Sequence, residues 1–414
     1  MKTFGFFLLF TFIQILNNTV IIPGVNSSQL WKYVLVLLMV YYICTKTPED
    51  YKKFGFIKAL YVIAFLKLLH VSTFENGLYF QENLLIFSKF LIFALLGDSV
   101  FLLCHRNPSI NVLKVMTFYA VFQIILYVPF LFHFISSPKT GIALSDDTNG
   151  FIGLCGSPHG ASIMSGFCSI FILWYLYYYP CKIKWKMLIL CCLGICLAVL
   201  YEAYVRTGYA MFIVGFICLY LQKGKKMWHY IFMAAALICV AFWVSHLDMD
   251  SPFVKRLIGV QYSGEIDVGS GRSSFMQISL DYWKNNGVSG WLFGVGQSAV
   301  MDRIERDIGI RVYAHDGFVD MLTASGIIGI ALMLYVMISI GCYLFKHRQN
   351  QYFYLSFAIY CAYYCMQATQ GGQAFDIDLW LFLAIQLVTD KHTSLYDHTS
   401  DLIPNTQDSP VCAT

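Results

Sequence analysis

Apolar stretches of about 18 residues or more recur along the whole chain between short polar breaks, and each can cross a hydrocarbon core of roughly 30 Å as a helix. Candidate spans, three of them 15 residues long, fall at residues 4–22, 30–44, 54–72, 83–104, 113–135, 161–180, 187–204, 207–221, 228–246, 317–345, 352–369 and 376–390. The pattern predicts an all-α polytopic membrane protein of about 12 transmembrane helices. The first stretch, Phe4 to Ile22, follows Lys2, and no small-x-small cleavage site comes after it, so it is expected to remain as a span. The rhythm breaks once, over residues 247–316, which form the one long loop. Residues 1–390 therefore read as a single transmembrane domain, and 391–414, with Asp397, Pro404 and Asp408, as a disordered cytoplasmic tail.

The long loop has its own pattern. Phe275, Ile278 and Tyr282 fall on one side of a short helix, Met276, Leu280 and Trp283 adjoin them, and glycines at 264, 269, 271, 287, 290, 294 and 296 punctuate the rest. Such a stretch is expected to form a structured cap lying at the membrane interface.

Composition strengthens this picture. The chain is 58% hydrophobic and 13% charged, against roughly 25% charged residues in an ordinary globular domain, which excludes a soluble-domain reading. Basic residues near span ends stay on the cytoplasmic side. With the N-terminus inside, Lys46, Lys52, Arg106, Lys182, Lys184, Lys186, Lys223, Lys346 and Arg348 all lie inside, whereas the short outer loops hold only Lys139 and Arg206. Both termini are thus expected in the cytoplasm and the long loop outside. Of the 14 cysteines, Cys155 alone falls in an outer loop, so Cys191, Cys192, Cys196, Cys361 and Cys365 read as small apolar packing residues.

A charge deep in a bilayer is costly, so charged groups at outer span ends are where chemistry can reside. Arg206 sits in the turn Tyr204-Val205-Arg206-Thr207-Gly208. It reads either as a snorkelling anchor or as a guanidinium fork over a lipid diphosphate, which it would meet with two parallel hydrogen bonds. Arg272, in Gly269-Ser270-Gly271-Arg272-Ser273-Ser274, reads either as a solvated loop arginine or as an anion ligand beside the free N–H groups of a helix start. His315 precedes Asp316, which can cap the next helix. An imidazole there suits a general base for a sugar hydroxyl, and equally an inert interfacial ring. Asp248 with Asp250, and Asp146 with Asp147, can hold a divalent metal or be solvated loop ends. Lys67, His70, Lys89 and Asp98 lie within or near spans and can line a polar cavity. Gly294-Val295-Gly296 follows no strand and is no nucleotide loop.

Together, Gly294-Val295-Gly296, His315-Asp316 and, nine residues on, Gly326-Ile327-Ile328-Gly329 resemble the signature of the O-antigen polymerase and ligase superfamily. Arg206-Thr207-Gly208 opening a span, Ser270-Gly271-Arg272 in the loop and Ser157-Pro158-His159-Gly160 ahead of the sixth span are similar to further pieces of it. The likeness spans residues 150–390, and the first 150 match only in being apolar. It implies a GT-C-like glycosyltransferase of the bacterial inner membrane whose donor is an oligosaccharide on undecaprenyl diphosphate. In that scheme Arg206 and Arg272 stabilise the departing diphosphate, with Arg311 a third cation. His315 takes the acceptor proton, and Asp316 or Asp320 orients its ring. Arg311, Asp316 and Asp320 line the substrate. No metal and no cofactor is expected. The implied partners are the lipid-linked oligosaccharide, membrane lipid and a chain-length regulator protein, with no nucleic acid.

Asp316 stands where ligases usually carry Asn, Ser or Gln. This leans toward a polymerase that joins repeat units into O-antigen or a capsular or exopolysaccharide. A ligase that moves the polymer to lipid A core is the alternative. A lipid-linked sugar flippase is a third reading, which repeated halves and interrupted helices would mark; the sequence suggests neither.

Overall fold

Apolar segments withdrawn from water satisfy their backbone groups only by bonding internally, and helices do this within one segment. The structure, a computed structural model, describes residues 37, 40, 41, 43–47, 55–72, 79–106, 112–135, 150–153, 158–178, 182–220, 272–350 and 352–370. All regular structure among them is helical: α1 (Gly55–Ser72), α2 (Phe80–Arg106), α3 (Val112–Leu131), α4 (Pro158–Tyr178), α5 (Ile183–Ala203), α6 (Arg206–Tyr220), α7 (Arg272–Lys284), α8 (Gly287–Phe293), α9 (Gln297–Ile308), α10 (Gly317–Lys346) and α11 (Phe353–Gln370). Eight expected spans coincide with α1 to α6, α10 and α11 to within four residues at either end. The spans at 4–22, 228–246 and 376–390, most of 30–44, Asp146, Asp147, Cys155, Asp248, Asp250 and the tail 391–414 lie outside the described residues.

Among the described residues, four helices are long and apolar enough to cross a membrane: Phe80–Ser99 within α2, α4, α5 and α10. Two more apolar stretches, Val115–Leu131 and α6, are shorter. Lys67 and His70 on α1 and Ser356 and Gln367 on α11 are buried, so neighbouring helices rather than lipid receive them. On α5 the arrangement is opposite, with Trp185, Met187, Leu188 and Leu190 all exposed. Water does not tolerate an apolar face of that extent on an isolated chain, so this is a membrane-embedded surface.

Packing divides the bundle into two groups. One comprises α4, α6 and α11 with α5 flanking α4; the other comprises α1, α2 and α10, and α10 against α11 joins them. Small residues set the closest approach. A Cβ on Gly208 of α6 would lie 1.9 Å from Ser162 Oγ of α4, so only hydrogen fits between these helices. Cys196 and Cys218 belong to the apolar core, whereas Cys191 is exposed, contrary to its expected packing role.

Helices α7, α8 and α9 show the long loop to be structured, and are called the cap below. Phe275, Val295, Val300 and Ile304 make its small core, with Ile278, Tyr282 and Val312 packed against it. The face anticipated from helical spacing is thus the one that is buried.

The cap grips α10 through an interruption that hydropathy did not anticipate. At Gly326 the backbone turns to φ 69°, ψ −170° inside the helix. The break frees carbonyls of the preceding turn, and the loop between α8 and α9 takes them. Val295 N–H bonds the Thr323 carbonyl at 2.9 Å, and Gly296 N–H bonds the Ala324 carbonyl at 3.2 Å. A Cβ on Gly326 would lie 2.3 Å from the Leu292 backbone, and one on Gly294 2.3 Å from Ser325 N. Two glycine-bearing segments therefore meet backbone to backbone. The expectation of uninterrupted helices is corrected here: one span is broken, and its freed carbonyls are met by protein.

Candidate active site

Three sequence-distant elements meet at the end of the bundle beneath the cap. Arg206 and Arg272 are the first residues of α6 and α7, and the C-terminal end of α11 links them. Arg272 Nη1 donates to the Thr369 carbonyl, one of the C-terminal carbonyls that a helix leaves without an internal partner. The Thr369 hydroxyl lies 3.4 Å from that of Thr207, the residue after Arg206, and also bonds the Cys365 carbonyl at 2.9 Å. Gly208 completes the Arg-Thr-Gly sequence by letting α6 close on α4. The three residues of that motif thus act differently: Arg206 brings charge, Thr207 contacts α11, and Gly208 permits close approach.

His315 joins the same region. Its ring lies 6.0 Å from that of Phe275, one turn into α7 from Arg272. The start of α10 abuts the end of α11, where a Cβ on Gly317 would come within 2.6 Å of Gln367 Oε1. His315 itself has φ 60°, in the left-handed region that is uncommon outside glycine, although histidine enters it more often than most side chains do. Such a conformation persists only where its surroundings enforce it.

The two carboxylates beside it supply that enforcement. Asp316 caps α10, its Oδ1 accepting from Phe318 N and Val319 N at 2.9 Å each. Asp320 is buried and accepts from Ala314 N at 3.0 Å. These bonds hold the backbone on either side of His315.

Arg311 is differently situated. It pairs with Glu82 of α2, with Glu305 at 3.0 Å and with Asp302 at 3.8 Å, and its guanidinium lies over the Tyr79 ring at 5.2 Å. Burial works against its charge, but the hydrogen bonds it donates to Glu305 and Glu82 outweigh that, and its pKa is raised. Arg311 thus ties the cap to α2. Burial pushes the Arg272 pKa down from its ordinary value. A cation that is partly desolvated gains from an anion placed beside it, and Arg272 has that incentive.

Sequence reasoning did not find Thr369 or Gln367, which sit on no recognisable motif and become relevant only through the fold. It also left Lys67 and His70 without partners. His70 Nε2 donates to the Phe293 carbonyl at 2.7 Å, and Lys67 lies over the Phe90 ring at 5.0 Å. Both face the region where the cap meets α10.

Residues 191–334 match the family model described as O-antigen ligase. The match covers about a third of the chain, and over that segment the chain is similar to this family. Members of this family are membrane glycosyltransferase-like enzymes that act on lipid-linked saccharides. The O-antigen ligase match runs from within α5 to within α10, so it holds Arg206, Arg272, the glycine loop, His315 and the Gly326 break. It is narrower than the region of resemblance in the sequence, and Thr369 and Gln367 fall beyond it. No curated protein matches the chain.

Proposed function

We propose that this protein joins lipid-linked oligosaccharide repeat units into a polysaccharide at the outer face of the bacterial inner membrane, by glycosyl transfer with release of undecaprenyl diphosphate. The observation that carries the reading is the shared link of Arg206, Arg272 and His315 to the end of α11: through Thr207 and Thr369, through Thr369, and through Gly317 against Gln367. Attack by an acceptor hydroxyl on the anomeric carbon forms the new glycosidic bond and breaks the bond to the diphosphate. The hydroxyl proton passes to His315 as general base, and the electron pair leaves with the diphosphate. Arg206 and Arg272 receive the developing negative charge with charge-assisted hydrogen bonds. Asp316 and Asp320 hold the imidazole in position through its backbone. Arg311, already neutralised by carboxylates, fastens the cap and lines the cavity wall rather than meeting the diphosphate. Basic residues at the opposite end of the bundle, among them Lys182, Lys184, Lys186 and Arg348, favour a cytoplasmic position for that end and for both termini. A chain-length regulator fits a polymerase and has no bearing on the chemistry.

The metal-free scheme requires full activity in excess chelator. The purified protein incubated with lipid-linked repeat units alone should give a ladder of polymer lengths. If it transfers the saccharide only when a separate acceptor such as lipid A core is added, it is a ligase. If it moves the lipid across vesicles without forming a glycosidic bond, the enzyme reading fails.

A further inference from the structure

Helix α8 lies almost bare on the bundle. Of its seven residues only Gly290 is buried. Val288, Trp291 and Leu292, at i, i+3 and i+4, make one face, with Phe293 next in the chain, and these four are between 39% and 67% exposed. Gly290 lies on the opposite side, where a Cβ would meet Val295 of the following loop at 3.5 Å. The apolar side of α7 packs into the core of the cap, whereas that of α8 is left outside it.

The depth of α8 follows from α10, against which it packs. Beyond the break at Gly326, Ile327, Ala331, Leu334, Ile338, Cys342 and Phe345 recur every three or four residues along one side of α10, and all are exposed. This stripe rises about 27 Å, close to the roughly 30 Å of a hydrocarbon core. Lys346, His347 and Arg348 follow it at one end. At the other end the Leu292 backbone lies against Gly326, so α8 stands where the hydrocarbon stops and adds its own apolar face to the stripe. Trp291 suits that depth. Its indole N–H donates to the Lys284 carbonyl at 2.8 Å, which leaves the immersed ring with no donor in want of water.

We propose that α8 is a membrane-binding foot of the cap: its face of Val288, Trp291 and Leu292 is immersed in the acyl chains of the outer leaflet, just inside the lipid headgroups. Facing water, these side chains would lie bare beside a surface that is already in lipid. The chain runs from α8 directly into the loop that bonds the Thr323 and Ala324 carbonyls, so lipid and α10 hold the cap at adjacent points. Immersion follows from burial and length, independently of the glycosyl-transfer reading, which only names the leaflet as the outer one.

Nitroxide labels on an otherwise cysteine-free full-length protein test this in vesicles of phosphatidylethanolamine and phosphatidylglycerol. Labels at Val288→Cys and Leu292→Cys should collide more with oxygen, which concentrates in hydrocarbon, than with a water-soluble nickel chelate. Their depth should read as about 5–10 Å inside the headgroup boundary. Ala331→Cys on the α10 stripe gives the lipid reference, and Arg303→Cys, at an exposed side chain of α9, the aqueous one. Labels at 288 and 292 that behave like the one at 303 overturn the proposal. So do labels shielded from both reagents, which would mean that protein, from this chain or a second copy, covers the face. Depth is read without turnover, so an aqueous α8 leaves the glycosyl-transfer reading standing, and failure to make polymer leaves the depth of α8 standing.

Discussion

At Arg272 the side chain serves two purposes that a substitution can separate. One guanidinium nitrogen closes the end of α11 through the Thr369 carbonyl, while the group as a whole is partly desolvated. Lysine keeps the charge but not the planar fork that meets two oxygens at once. Arg272→Lys is expected to lower kcat by about tenfold, and Arg272→Ala by about 10²- to 10³-fold, the range seen when one donor to a developing anion is removed. Initial rates on the lipid-linked donor, read beside thermal unfolding in detergent, check this, since equal loss in both variants would point to the α11 contact alone. Part of this residue-level picture was legible from the sequence. Asp316 ahead of an apolar run is an N-cap signal, and the structure has it accepting from Phe318 and Val319 amides. Its neighbour Asp320 was visible only as a charge near a span end, because its partner amide depends on a left-handed turn at His315 that no residue type announces.

Among the elements, α10 is where hydropathy reading succeeded and failed at once. Its ends were foreseen to within a residue, because leucine, isoleucine and methionine fill it and Asp316 precedes it. The break at Gly326 was not, because Ala-Ser-Gly-Ile-Ile-Gly differs little in hydropathy from an unbroken span. The requirement for glycine arises from the Leu292 backbone on another element. Gly326→Ala should therefore cost about 1–3 kcal/mol in backbone strain alone, with a further loss as the cap is pushed away. Thermal unfolding should fall accordingly, and limited proteolysis between α7 and α9 should accelerate. The cap helix α7 was better legible, since Phe275, Ile278 and Tyr282 follow a helical period and face its core. The contacts that dock α9 and the segment after it on α2 were not: Asn83 with Ser298 at 2.7 Å and Glu82 with Arg311 pair residues more than 200 positions apart.

For the whole molecule, the catalytic proposal requires the cap and the basic ends of α5 and α10 to face opposite sides of the membrane. Single cysteines introduced into an otherwise cysteine-free chain test this. A cysteine at Lys284, exposed on α7, should react with an impermeant maleimide in intact spheroplasts, and one at Lys184 only after permeabilisation. Labelling of both from the same side would remove the outer-leaflet assignment. Sidedness was suggested by the distribution of lysine and arginine, which is a property of the chain as a string. The meeting of α6, α7 and α10 was suggested only by resemblance, and the part of α11 not at all, because both depend on how helices far apart in sequence choose their neighbours.

The bonds from Val295 and Gly296 to the interrupted helix bear on the order of assembly. Translation produces the glycine loop before the carbonyls of Thr323 and Ala324 exist, so those two amides must wait in water until the following span has been threaded into the bilayer. Closure of the cap onto α10 is accordingly a late event, completed only after residue 324 has been made and its helix inserted. A ribosome stalled shortly after residue 316 would leave a bundle with its doorway open.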